Sequence, residues 1–194
     1  MTKVRYLTHP QVLIDPTIPV PLWGLSAVGR DRVAIFSQSR TLRSTTQIVS
    51  SAERKAIETA EPIAAVLGLN LEVRAAMHEN DRTATGFLPA GEFEAVANAF
   101  FARPSVSVRG WESAAEAQAR IVREVETVLE RNLAGDMLVV GHGAVGTLLF
   151  CHYANLAISR VHDQPPGGGH FFTFLKEPRR VLHPWRRMEE LPSQ

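Results

Sequence analysis

Met137-Leu138-Val139-Val140-Gly141-His142-Gly143 decides the class of fold. Four apolar residues in a row follow the turn Gly135-Asp136, and such a short run predicts a strand buried on both faces, as in parallel sheets. Gly141-His142-Gly143 then leads into a helix that runs to about Tyr153. A histidine between two glycines at that junction faces the same space as the free amides of a helix start. Gly143 is therefore a candidate anion-binding position beside His142.

Similar junctions lie upstream. Val4 to Leu7 predicts a short buried strand that ends at Thr8-His9-Pro10. Thr46 to Ser50 predicts a second, followed by Ser51 as an N-cap and a helix from Glu53 to Leu67. Ala56, Ala60, Ile63 and Leu67 form its inward stripe, and Gly68 stops it. Arg54 falls in the first turn, where the helix dipole favours anions, so an arginine there makes sense beside a bound anion. Leu69 to Ala75 predicts a third strand, with Glu79 in the loop after it.

Between these junctions, Ile14 to Leu22 carries three prolines and predicts an extended loop. Ser26 caps a helix through Phe36. Glu92 to Ala102 predicts a helix. Ser113-Ala114-Ala115-Glu116 is a capping box that opens the longest helix, to about Asn132. Phe171 to Leu175 and Arg180 to Leu182 predict two last strands. This alternation predicts a three-layer α/β/α sandwich around a mostly parallel sheet. At 194 residues the chain is expected to be one domain over its whole length.

Composition narrows the function. A net charge of +1 asks for neither nucleic acid nor an anionic membrane as partner. No signal peptide or membrane span is apparent, and the one cysteine, Cys151, sits in an apolar run, so the expected compartment is the cytoplasm. The seven histidines form no H-E-x-x-H, which argues against zinc. Gly141 to Gly146 fits G-x-G-x-x-G with Asp163 at a suitable distance for a ribose contact. Too little chain follows to complete a dinucleotide fold, so that reading is set aside.

His9, Arg54 and His142 at strand ends, with Glu79 in a nearby loop, suit phosphoryl transfer. A neutral imidazole attacks phosphorus, cationic donors hold the equatorial oxygens, and a carboxylic acid protonates the leaving group.

The pattern resembles the histidine phosphatase superfamily, the phosphoglycerate mutase-like proteins. His9 matches the histidine of the Arg-His-Gly motif, and Asp15 stands where many members have asparagine. Leu25-Ser26 to Gly29 resembles "Leu-Thr-x-x-Gly", and Ser50 to Ala60 resembles "Ser-Ser-x-x-x-Arg-Ala-x-x-Thr-Ala". The arginine of that block falls on Arg54 or, one position later, on Lys55; Arg54 is preferred. Glu79 resembles the family acid, Gly110 to Ser113 its "Gly-Glu-Ser" helix start, and Val140 to Gly143 its "Val-Ser-His-Gly".

The resemblance implies a phosphatase acting on a small phosphorylated metabolite, with no metal or organic cofactor. His9 is implied as nucleophile, Glu79 as acid, and Arg54 and His142 as phosphoryl ligands. Thr8 replaces the motif arginine and Pro10 the motif glycine. Losing one such donor costs ~3 kcal/mol, about a hundredfold in rate. Arg82 is the expected substitute, with Arg30 second. A mutase and a phosphate-binding module without turnover are the alternatives. Trp23, Phe87 and Phe93 are expected at the entrance. Substrate and oligomeric state stay open.

Overall fold

In a computed structural model describing residues 1–131 and 134–191, Asp136–Gly141 (β4) is fully buried. It pairs in parallel with Lys3–Thr8 (β1) on one side and Thr45–Ser51 (β2) on the other. Leu71–Arg74 (β3) extends the sheet in parallel beyond β2. His170–Leu175 (β5) runs antiparallel to β1, and Val181–Arg187 (β6) antiparallel to β5. The order is β3-β2-β4-β1-β5-β6. Only β5 runs against the others, so the sheet is mostly parallel, as expected. The edge strand β6 is longer than the three residues read from the sequence, because its alternation of half-buried and exposed residues is a weak signal.

Strand alternation sends side chains to two cores. Val4, Tyr6 and Val139 meet the helices Ala90–Ala102 (α3), Ala114–Leu129 (α4) and Gly143–Tyr153 (α5). Leu7, Ile48, Leu138 and Val140 meet Ala27–Ser37 (α1) and Arg54–Leu67 (α2) on the opposite face. This gives the α/β/α layering.

Local signals place most helix ends. Ser26 accepts from the Gly29 amide at 3.1 Å and caps α1. Ser113 and Glu116 form the capping box of α4. That helix ends at Leu129; the expected end near Asn132 lies outside the described residues. Gly68 closes α2 at φ +66°, a conformation that suits glycine. The N-cap of α2 is Glu53, not Ser51, because Ser51 is still paired in β2. The proline-rich loop is irregular apart from a 3₁₀ turn at Val20–Leu22. No helix among the described residues is long and apolar enough to cross a membrane.

Candidate active site

The parallel register of β1 and β4 aligns Thr8 with Gly141, so the next residues, His9 and His142, emerge side by side. Their ring centroids are 5.4 Å apart. The His9 amide donates to Gly141 O at 3.0 Å, and His9 O accepts from Gly169 N at 3.0 Å. His9 Nδ1 lies 2.9 Å from Pro10 O. A carbonyl only accepts, so Nδ1 carries the proton and Nε2 keeps its lone pair. Proline thus still supplies the carbonyl that sets the tautomer. Burial and then the charge of Lys55 lower the His9 pKa to about 4, against the Pro10 hydrogen bond. His9 is neutral at pH 7.

His142 is completely buried. Its Nε2 lies 2.8 Å from Ser51 Oγ, and its Nδ1 has no partner among the described residues. Burial holds its pKa well below the usual value, outweighing the attraction of Glu53. The Tyr6 hydroxyl fixes its backbone, accepting from His142 N at 3.0 Å and donating to His142 O at 3.1 Å. Tyr6 also explains two glycines. Its ring and hydroxyl lie against Gly141 and Gly146, and a Cβ at Gly146 would meet Tyr6 Cε1 at 2.5 Å. The G-x-G-x-x-G spacing accommodates an aromatic ring, and Asp163 is occupied by Thr147 Oγ1 and the Gln164 amide, both at 2.8 Å.

Glu79 reaches the start of α5. Its carboxylate accepts from Ala144 N at 3.1 Å and Val145 N at 3.0 Å. Burial raises its pKa, against those two amides and the charge of Arg82. The loop that carries it is held by Arg120, which donates to the carbonyls of Ala76, His78 and Glu79 and pairs with Glu112 at 2.6 Å.

The cation from α2 is Lys55. Its ammonium is buried, pairs with Glu53 and donates to Val20 O at 3.1 Å. Glu53 in turn accepts from the Glu79 amide at 2.9 Å. Burial works against the ionised Glu53, but the Lys55 ammonium and the Glu79 amide outweigh it and hold its carboxyl at about 2. Arg54 is not brought to the site. It lies one position, or about 100°, around the helix from Lys55. Its side chain is 61% exposed and pairs with Glu58 at 2.6 Å. The anion beside it is a carboxylate one turn on, Glu58.

Three further expected residues are occupied elsewhere. Arg30 is exposed and donates to Leu25 O at 2.5 Å. Asp15 accepts from the amide and hydroxyl of Thr17 in its own turn. Thr8 is fully buried; its hydroxyl accepts from His170 N at 3.0 Å and lies 2.6 Å from Gln164 Oε1. Arg82 does come close. Its charge acts on His9, Glu79 and His142, while its guanidinium stacks 5.0 Å from the Phe93 ring centre. Trp23 and Phe87 face each other at 5.8 Å and join the proline-rich loop to the segment after Arg82. Gly143 stands at the first turn of α5 beside His142.

Sequence reasoning passed over Glu53, Ser51 and Gln164. It weighed Lys55 and did not choose it. One signal would have separated the two cations: Arg54 and Glu58 form an i, i+4 pair on a polar face, whereas Lys55 shares its face with Thr59 and Ile63, both buried.

Comparison with known proteins places the fold in a family. A family model described as the histidine phosphatase superfamily (branch 1) matches residues 21–169. No curated protein sequence matches. Among solved structures, mycobacterial glucosyl-3-phosphoglycerate phosphatase in complex with inorganic phosphate superposes with a TM-score of 0.77 at 19% identity, covering 96% of this chain and 95% of that one. A mutant phosphoserine phosphatase from Entamoeba histolytica in complex with phosphoserine gives 0.79 at 16% identity, covering 98% and 100%. These likenesses establish a shared fold. With the family model spanning most of its length, the chain belongs to the histidine phosphatase superfamily, branch 1.

Proposed function

We propose that the protein is a phosphomonoester hydrolase that forms a phosphohistidine on His9. The observation that carries this reading is the imidazole of His9, neutral and tethered through Nδ1 to Pro10 O, facing His142 across 5.4 Å. In the first step His9 Nε2 attacks phosphorus and the bond to the leaving oxygen breaks. Protonated Glu79 gives its proton to that oxygen. In the second step water attacks the phosphorus, the P–N bond breaks, and Glu79 takes up the water's proton. Lys55, Arg82, His142 Nδ1 and the Gly143 amide are the donors for the phosphoryl oxygens. The substrate is a small phosphorylated metabolite, and the aromatic pair Trp23 and Phe87 suits an apolar or ring-bearing leaving group.

The family's structural relatives include enzymes named for glucosyl-3-phosphoglycerate and phosphoserine, which makes sugar and amino-acid phosphates the first compounds to try. A panel of phosphorylated metabolites, with wild type and His9→Ala in parallel, tests the reading. Wild type should release phosphate from at least one compound and acid quench should trap an acid-labile phosphoenzyme. His9→Ala should show neither. A phosphoenzyme that persists in His9→Ala would sink the assignment.

A second reading, phosphate binding without turnover, is favoured by one observation. The residue in place of the motif arginine, Thr8, is buried in contacts with His170 and Gln164. On that reading, wild type binds phosphate or vanadate and hydrolyses nothing in the panel.

A further inference from the structure

We propose that the carboxamide of Gln164 is the phosphoryl-binding donor that takes over from the missing motif arginine. The inference rests on the site being a phosphoryl site, as proposed above. It starts from a contact between residues 156 positions apart: Thr8 Oγ1 lies 2.6 Å from Gln164 Oε1.

That contact fixes which way the amide points. The Thr8 hydroxyl accepts from His170 N at 3.0 Å, and its own proton has two acceptors within reach, Gln164 Oε1 at 2.6 Å and His170 O at 3.2 Å, of which the nearer takes it. A separation of 2.6 Å is an O–H···O length, shorter than N–H···O bonds usually are. Oε1 therefore faces Thr8, and Nε2, with both its protons, faces the other way. The backbone of Gln164 is fixed as well. Its amide donates to Asp163 Oδ1, which also accepts from Thr147 Oγ1 on α5.

Nε2 comes to rest over the first turn of α5. A Cβ built on Gly143 would stand 2.6 Å from it. Gly143 directly follows His142. Of the first amides of α5, Ala144 and Val145 donate to Glu79 and Gly146 donates to His142 O. The Gly143 amide and Gln164 Nε2 donate to no acceptor among the described residues. The carboxamide thus spans from Thr8, which directly precedes His9, to Gly143, which directly follows His142.

An arginine at position 8 would have to extend from the same buried strand end. With threonine there, the long side chain comes from the loop before β5 instead, and the short one holds it. The exchange replaces a charged, bidentate donor by a neutral one. It also gives Thr8 a positioning role through Gln164. Gly143 then leaves the room that Nε2 occupies, since a side chain there would push the end of Gln164 aside.

The test uses the full chain and orthovanadate and inorganic phosphate as probes, with binding measured by calorimetry and thermal unfolding recorded for every variant. Gln164→Met keeps the volume and removes both donors; it should weaken vanadate binding about ten- to hundredfold, as expected for a hydrogen bond to a charged group. Gln164→Glu keeps the shape but sets a carboxylate against the anion and should weaken binding further. A residue that only fills space would give the opposite order or no change. Thr8→Val should produce a partial loss, because Nε2 survives but is no longer held. Thr8→Arg in the Gln164→Met background should recover affinity.

Vanadate bound equally by wild type, Gln164→Met and Gln164→Glu overturns the inference and leaves the hydrolase reading to the phosphoenzyme experiment. Wild type that binds vanadate without turning over any substrate removes the hydrolase reading, and the loss of binding in the variants still supports the role of Gln164. Wild type that binds neither anion overturns both.

Discussion

A nucleophilic histidine must be neutral and a general acid must be protonated, so the two groups limit activity from opposite sides of the pH scale. His9 has a pKa of about 4, and Glu79 is raised above the ordinary carboxylate value by burial. The expected profile of kcat/KM rises with pH through about 4 as His9 loses its proton. It falls again once Glu79 ionises, giving an acidic optimum. Glu79→Gln should slow alkyl phosphates by about 10²–10⁴-fold. It should slow p-nitrophenyl phosphate far less, because that leaving group departs without a proton. Equal losses on both substrates would show that Glu79 is not the acid.

The same histidines govern stability in acid. Both are held neutral in the fold, with pKa values below those of the unfolded chain. Unfolding therefore takes up protons, and stability is full above about 6.5 and lost as pH falls toward about 4. Urea midpoints across that window should fall for wild type and fall less steeply for His142→Gln. Parallel slopes would mean that other groups drive the acid sensitivity.

These residues were unequally legible. His9 and His142 stand directly after apolar strands, and a strand end is a position that sequence reveals. Lys55 was harder, because two adjacent cations open the helix and only the faces they continue tell them apart: Thr59 and Ile63 follow Lys55 inward, and Glu58 pairs with Arg54 outside. Gln164 has no local signal, since its meaning comes from Thr8 at the other end of the chain.

At the scale of elements, two helix starts do different work. The start of α5 is occupied by a functional carboxylate: Glu79 takes two of its amides, so the positive end of the helix holds the proposed acid in place. The start of α4 is closed by its own residues. Ser113 Oγ accepts from Glu116 N at 3.3 Å, and Glu116 reaches back to Ser113 N at 3.1 Å. Ser113→Ala should cost about 1 kcal/mol, the usual value of an N-cap, seen as a lower urea midpoint. Its kcat/KM should match wild type, because Glu79 is positioned by Arg120 and α5 rather than by this cap. A drop in kcat/KM at full folding would tie the cap to the acid.

The capping box was readable because its partners lie three residues apart. β6 was read too short because it lies at the sheet edge. Four of its seven residues are exposed, so the apolar pattern that marked β1 and β4 fades there.

At the scale of the whole molecule, the two ends of the sheet divide the work. The carboxyl ends of β1 and β4 deliver His9 and His142. The amino ends of the same strands carry a buried ion pair, Arg5 Nη1 to Asp136 Oδ2 at 3.1 Å. Asp136 also accepts from the Lys3 amide at 2.9 Å and the Ser44 hydroxyl at 2.8 Å. This cluster bridges β1 and β4 at the end of the sheet opposite to Thr8 and Gly141, whose pairing sets the spacing of the two histidines. Removing one partner leaves a buried charge uncompensated, which costs about 3–5 kcal/mol. Asp136→Ala should therefore be strongly destabilised while its folded fraction keeps wild-type kcat/KM, because Arg5 lies roughly 13 Å along β1 from His9. Arg5→Met with Asp136→Leu should recover most of the loss, since a buried pair is often matched by apolar groups of similar volume. Full activity in the double variant would show that packing of β1 on β4 is enough to hold the register. Recovered stability with weakened vanadate binding would instead assign the register to the ion pair, and the distance between the two histidines would then depend on a charge at the far end of the sheet.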